Sequence, residues 1–219
     1  MPAPFDLLPY LLKGLLITLA VTGGAAVLAL VMAFVGGLGR LSRFRALRVL
    51  AGVYVEVFRG TSALVQLFWA FFVLPFFGIQ ISPIAVGILV LGINIGAYAS
   101  EVVRGVIQSI PISQWEAARA LTLSHRRTLW RIIVPQALPT MLPPAGNLLI
   151  ELLKGTALVS LISLNELTFT AQTLRADTLR TPEIFSLVLL LYFGVGVTLT
   201  TGMRGLERRL SPWRGSRGT

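Results

Sequence analysis

Apolar runs about as long as a bilayer is thick recur through this chain, and nothing else restricts its fold so strongly. A helix needs about 20 apolar residues to cross the hydrocarbon core. Residues 11–38 carry a single charge, Lys13, and are rich in small side chains that permit close helix packing. An apolar stretch at residues 49–58, holding Glu56, leads into a second run at 61–77. A third run covers 84–103, a fourth begins among Pro135, Pro139, Pro143 and Pro144 and extends to about residue 163, and a fifth covers 184–201. The prolines predict a broken or tilted start to the fourth run, because interior proline removes a backbone donor and clashes with the preceding turn. Only 13% of residues are charged, against about 25% in a soluble domain. The expected fold is therefore an all-α integral membrane protein with five transmembrane helices in one domain over residues 1–219.

Orientation follows from the arginines. Arg40, Arg43, Arg45 and Arg48 lie on one side, with Arg104, Arg119, Arg126, Arg127 and Arg131, and with Arg204, Arg208, Arg209, Arg214 and Arg217. The opposite side has only Lys13, Arg175 and Arg180. Basic loops stay in the cytoplasm, so the N-terminus is expected outside and the C-terminus inside. The first run is too long for a signal-peptide core, and Asp6 stands where positive charge belongs, so it reads as a retained span. Residues 211–219 read as a mobile basic tail.

Several chemistries are excluded. Without cysteine there is no disulfide or thiolate metal site, and His125 is the only histidine. No Gly-rich phosphate loop of the GxxxxGK[ST] form occurs, so the chain is not expected to hydrolyse nucleotide. No catalytic residue and no metal site is assigned. A net charge of +10 spread over short loops between apolar runs points to membrane orientation rather than to nucleic acid.

The loop at residues 105–131 is polar and helical in pattern. Within it, Gln114, Trp115, Glu116, Ala117, Ala118, Arg119, Leu121 and Thr122 form a short amphipathic segment. Trp115, Ala118, Arg119 and Thr122 share one helical face. Ala117, Ala118 and Ala120 are small enough to let the helix enter a groove, and Glu116 suits the positive end of a helix dipole. An interfacial helix between two spans would look the same.

More motifs surround it in a fixed order. Ile110 and Pro111, Gln114, the EAA triplet 116–118, Leu121, then Pro135, Gln136, Ala137 and Pro139 follow one another. FRGTSALVQ occupies 58–66, GAYASEVVRG 96–105 and NLLIELLKGTALVSLI 147–162. This ordered set resembles the permease subunits of bacterial ATP-binding-cassette (ABC) importers, in the polar amino acid branch. The resemblance implies a type I importer permease core in the bacterial inner membrane. It also implies a second permease, identical or homologous, two cytoplasmic ATPase subunits that bind ATP and Mg, and an external substrate-binding protein. The segment around Glu116 becomes the ATPase-docking helix. Three positions depart from the family pattern. Thr122 replaces a glycine suited to left-handed geometry, so the turn either closes differently or carries strain of about 1 kcal/mol. Lys154, Gly155, Thr156 and Ala157 stand where the family has lysine, aspartate, threonine and serine, and Ser113 stands where glycine is common.

Ionisable groups inside spans cost at least about 2.5–3.5 kcal/mol and are functional candidates. Glu56 with Arg59, Glu101 with Arg104, and Glu151 with Lys154 share the i,i+3 spacing that puts both members on one face. The first two pairs either neutralise each other locally or act in gating. Glu151 and Lys154 fall midway along the fourth run, where they either line a substrate path or form a structural pair. Asn147 extends their face. Asn94 and Tyr98 on the third run are further path candidates, Asn94 equally as an interhelical contact. The polar stretch 165–182 either receives a binding protein through Glu166, Arg175 and Asp177 or is a solvated loop. The function expected is import of a polar amino acid or small zwitterion by alternating access. An ectoine-like compatible solute is the alternative substrate, and a self-powered secondary transporter the alternative class.

Overall fold

The computed structural model describes residues 5–210, so the basic tail at 211–219 lies outside the described residues. Eight helices account for nearly all of the described chain: α1 (Leu8–Arg40), α2 (Arg45–Gly60), α3 (Ala63–Phe77), α4 (Pro83–Ser109), α5 (Ile112–Ala120), α6 (His125–Ile162), α7 (Leu167–Thr178) and α8 (Thr181–Leu210). Four of these, α1, α4, α6 and α8, are each long and apolar enough to cross a membrane. The second expected span is built differently. α3 has 15 residues, and α2 meets it at 103°.

The register of α1 against α4 decides what this bent pair does. A Cβ built on Gly24 would lie 2.8 Å from Ile88, one on Gly92 2.9 Å from Leu28, and one on Gly96 2.6 Å from Met32; one on Gly36 would strike Ser100. The partners advance together, 24 with 88, 28 with 92, 32 with 96 and 36 with 100, so α1 and α4 run parallel. The chain between them must cross back once. A re-entrant loop would return α4 to the wrong end, so α2 and α3 together form one broken crossing. α6 runs opposite to α4, with Gly155 beside Leu91 and Gly87 beside Val159. Five passes result, as the apolar runs predict.

The break has a local cause. Thr61 and Ser62 are extended, which frees carbonyls at the end of α2. Asn94 Nδ2 donates to Phe58 O at 2.9 Å and Gln66 Nε2 donates to the same oxygen at 3.1 Å. Thr61 Oγ1 donates to Val57 O at 2.7 Å. Unsatisfied backbone groups are costly in a bilayer, and irregular backbone persists there only where protein or water satisfies it.

The fourth span begins earlier than the proline pattern suggests. Helix starts at His125 and passes through Pro139, Pro143 and Pro144 without a break. A wide π-type turn at Leu129–Ile133 directly precedes Pro135, where it accommodates the ring and the missing N–H. Thr156–Ile162 tightens to 3₁₀ geometry before Ser163 closes the helix with φ 60°.

Apolar side chains bury in three places. Val21, Ala25, Leu67, Val90, Leu152 and Val159 fill the middle. Leu11, Leu167, Ile184 and Leu187 close the end near the start of α1. Ala33, Val103, Ile107, Ile133 and Met141 close the other end. Large apolar residues elsewhere stay exposed, among them Val27, Leu30, Leu189 and Phe193, as lipid contact requires.

A buried carboxyl joins α1, α7 and α8. Glu166 is wholly buried. It caps α7 by accepting from Phe169 N–H at 2.8 Å, and it accepts from Tyr192 Oη at 3.2 Å and Thr18 Oγ1 at 3.3 Å. The expectation that it meets a binding protein is thereby corrected; Arg175 and Asp177 do remain exposed. Burial raises the Glu166 pKa above its ordinary 4.5. The folded state therefore holds its proton more tightly than the unfolded chain. The associated stability is complete below about pH 4.5 and is lost as pH rises through the raised folded value. Glu166→Gln keeps the shape without the ionisation, so melting temperature in detergent should fall with rising pH in the parent and fall less in the variant. Identical pH slopes would contradict this.

Candidate functional site

The end of the molecule at which α1 finishes carries the expected docking segment. α5 spans Ile112–Ala120 after the bend at Pro111. Gly105–Ser109 belong to α4 and 125–131 to α6, so helix occupies most of the loop assigned to 105–131. Gln114, Trp115 and Ala118 turn toward the body, with Ala118 only 1% exposed. Trp115 stacks on His125 at 5.4 Å, and Gln136 Nε2 donates to Gln114 Oε1 at 3.4 Å. Glu116, Ala117, Arg119, Leu121 and Thr122 face away. The eight residues thus divide into an inward set that fastens α5 and an outward set free to meet a partner, and Arg119 and Thr122, expected on the face of Trp115 and Ala118, fall in the outward set. Ile112 and Leu121 are each 69% exposed, an apolar pair on an otherwise polar loop.

The turn after α5 decides between the two readings of Thr122. Leu123 N–H donates to Ala118 O at 3.1 Å and Thr122 N–H to Arg119 O at 2.8 Å, the Schellman pattern that normally uses glycine in the left-handed position. Thr122 holds φ 56°. The turn closes in the usual way, and a β-branched residue carries the strain. Thr122→Gly should therefore raise unfolding free energy by about 1 kcal/mol. Unchanged thermal stability in detergent would refute this.

Near the same end an ionic cluster joins three helices. Glu101 accepts from Arg40 Nη1 at 2.5 Å and from Arg104 Nη2 at 2.7 Å. Arg104 Nη1 also donates to Gln108 at 2.6 Å. Glu56 stands 3.5 Å from Arg40. The Glu101–Arg104 pair forms as its spacing predicts. The Glu56–Arg59 pair does not: Glu56 is taken by Arg40, and the Arg59 guanidinium lies over the Tyr98 ring, 5.3 Å from its centre. Sequence reasoning missed Arg40, because α1 and α4 meet there through register rather than local spacing.

Asn94 and Tyr98 serve the break between α2 and α3. Asn94 is buried with its amide on Phe58 O and Gln66, and Tyr98 Oη donates to Arg59 O at 3.3 Å. Asn147, Glu151 and Lys154 are all exposed on one face of α6. Among the described residues no ion pair joins Glu151 to Lys154 or either to another group, so of the two readings the structural pair is not formed. Lys154 lines a cavity of about 850 Å³ between α6 and α8, with Ala157, Phe185, Tyr192 and Arg204. Asn147 lines an adjoining one of about 180 Å³ with Thr200, Arg204 and Glu207. A Cβ on Gly155 would meet only Leu91, at 3.8 Å, so packing alone does not require glycine there.

The family described as "Binding-protein-dependent transport system inner membrane component" matches residues 25–212. The chain belongs to this family. It is thus an inner-membrane transport component that spans the membrane several times. The probable amino-acid ABC transporter permease protein y4tF of Sinorhizobium fredii is 43% identical over 97% of this chain and 92% of its own length. The L-cystine transport system permease protein TcyB of Bacillus subtilis is 36% identical over 94% of this chain and 91% of its own. The glutamine transport system permease protein GlnP of Escherichia coli is 36% identical over 93% and 94%. Among solved structures, a chain of an amino acid ABC transporter with histidines superposes with a TM-score of 0.86 and 33% identity, covering 95% of this chain and all of that one. The superposition shows that this chain shares its helical fold with that transporter chain.

Proposed function

We propose that this permease carries a polar amino acid or related small zwitterion inward by ATP-driven alternating access. The observation that carries the reading is the stripe Asn147, Glu151 and Lys154. It holds an acid and a base inside a span, exposed and unpaired with each other, where lipid contact would cost at least about 2.5–3.5 kcal/mol per charge. Such a face belongs against water, substrate or a second permease. An ammonium and a carboxylate on one small solute match it.

ATP and Mg are bound by two separate ATPase subunits that dock on the outward set Glu116, Ala117, Arg119, Leu121 and Thr122. The end bearing α5 is cytoplasmic, a reading the arginine distribution supports. A second permease, identical or homologous, completes the path, and an external binding protein delivers the solute near α7. The Glu101 cluster ties α1, α2 and α4 together, so motion of α5 reaches the path as a rigid displacement. Relatives named for glutamine and cystine transport favour an amino acid over an ectoine-like solute. Family membership argues against the self-powered alternative.

Proteoliposomes holding the whole complex test this with labelled L-glutamine, L-cystine and ectoine. Accumulation of an amino acid that requires ATP on the α5 side supports the proposal. Accumulation without ATP, or of ectoine alone, overturns it.

A further inference from the structure

The segment that opens α2 forms a surface that no described part of the chain covers. Every residue from Arg43 to Leu50 is exposed. Arg43, Arg45 and Arg48 bring three positive charges within six residues, and among the described residues no carboxylate lies within 4 Å of any of them. The next acid along the chain, Glu56, stands beside Arg40. Arg45 and Arg48 are three residues apart, so they share one helical face. The Arg43 guanidinium lies over the Phe44 ring, 5.0 Å from its centre.

Apolar side chains are set among these charges. Phe44, Leu47, Val49 and Leu50 are all exposed. Leu50, Val53 and Val57 follow at steps of three and four, which places them on one helical face, and all three are exposed. The depth of this face follows from α1. A Cβ at Gly39, in the last turn of α1, would lie 2.9 Å from Ala51 Cβ, and one at Gly36 would lie 3.0 Å from Tyr54 Cε1. α2 therefore runs back along α1, and Arg45 and Arg48 stand at or beyond the end of α1, where the span leaves the bilayer. The apolar face points into the span and the arginines mark its edge. Acyl chains beneath an acidic headgroup satisfy both in one molecule. The guanidinium fork matches phosphate oxygens in two hydrogen bonds. A zwitterionic headgroup carries its own cation and leaves the three arginines uncompensated.

We propose that the start of α2 is a binding surface for acidic phospholipid in the leaflet at the α5 end. Arg45 and Arg48 hold the headgroup phosphate, Arg43 adds to the positive field, and Phe44 and Leu50 rest among the acyl chains. The inference does not depend on the transport reading, because it concerns α2 and not the stripe on α6.

Native mass spectrometry of the full chain in mild detergent tests this with two lipids of identical dioleoyl chains, phosphatidylglycerol and phosphatidylcholine. The parent should bind phosphatidylglycerol at least about tenfold more tightly. Arg45→Gln combined with Arg48→Gln should weaken phosphatidylglycerol about tenfold and leave phosphatidylcholine unchanged, with the melting temperature in lipid-free detergent at the parent's value. Each single variant should lose about threefold and decides the matter if the double variant does not fold. Arg126→Gln combined with Arg127→Gln is the control. It removes two exposed charges at the same end, from α6, and should leave phosphatidylglycerol binding at the parent's value. Equal loss from the two pairs overturns the inference, since attraction would then follow overall charge. Equal binding of the two lipids by the parent overturns it too. So does unchanged lipid binding by the Arg45 and Arg48 variants, and a subunit lost from their preparations would then identify a protein partner instead.

Discussion

Gly37→Leu is expected to remove folded protein from the membrane. A Cβ at this position would lie 2.8 Å from the backbone oxygen of Ser100 and 2.8 Å from Val103 Cβ. Backbone cannot rotate aside as a side-chain tip does, so α1 and α4 would have to separate. Overpacking costs about 1–3 kcal/mol and sometimes more. Here the upper end applies, because the parallel α1–α4 contact is the central packing of the fold. Gly23→Leu is the control, since nothing lies within 4 Å of a Cβ there. Yield of monodisperse protein and melting temperature in detergent should collapse for Gly37→Leu and stay at the parent's values for Gly23→Leu. Equal behaviour of the two would refute the packing account.

The second large effect concerns coupling. Leu121 is exposed beside the turn that ends α5, and no part of the described chain covers it. Leu121→Asp should leave folding intact, because an exposed side chain outside the membrane is replaced by a soluble one. A charge in a docking interface that buries an apolar anchor is costly. ATP-driven uptake should fall at least tenfold while melting temperature of the isolated permease changes little. Ala117→Trp should act alike by size alone. Full uptake in both variants would show that the outward face of α5 meets no partner.

Much of this architecture was legible in the sequence, and for identifiable reasons. Apolar run length gave the number of crossings, since bilayer thickness fixes helix length. The charge of Glu116 did not mark where α5 begins, since the helix starts at Ile112 with no acid in its first turn. Thr122 where glycine is usual left open a different closure or strain, and φ 56° selects strain. What could not be read depends on contacts between distant helices. The 103° break needs Asn94 to hold a carbonyl from α2. Arg40 reaches Glu101 only because α1 and α4 share a register. Glu166 looks like an ordinary loop acid until Thr18 and Tyr192 close around it. The i,i+3 rule succeeded for Glu101 with Arg104, yet failed for Glu56 with Arg59, where Arg40 and Tyr98 offered other partners.

The central claim is that this chain forms part of a membrane path whose energy source is another polypeptide docked on α5. Affinity purification from the native membrane in mild detergent, with every co-purifying subunit identified, tests it most directly. The account predicts an ABC ATPase in the parent preparation, with a binding protein whose ligand is an amino acid, and loss of the ATPase from the Leu121→Asp preparation. Recovery of the parent chain alone, under conditions that keep such complexes intact, would contradict it.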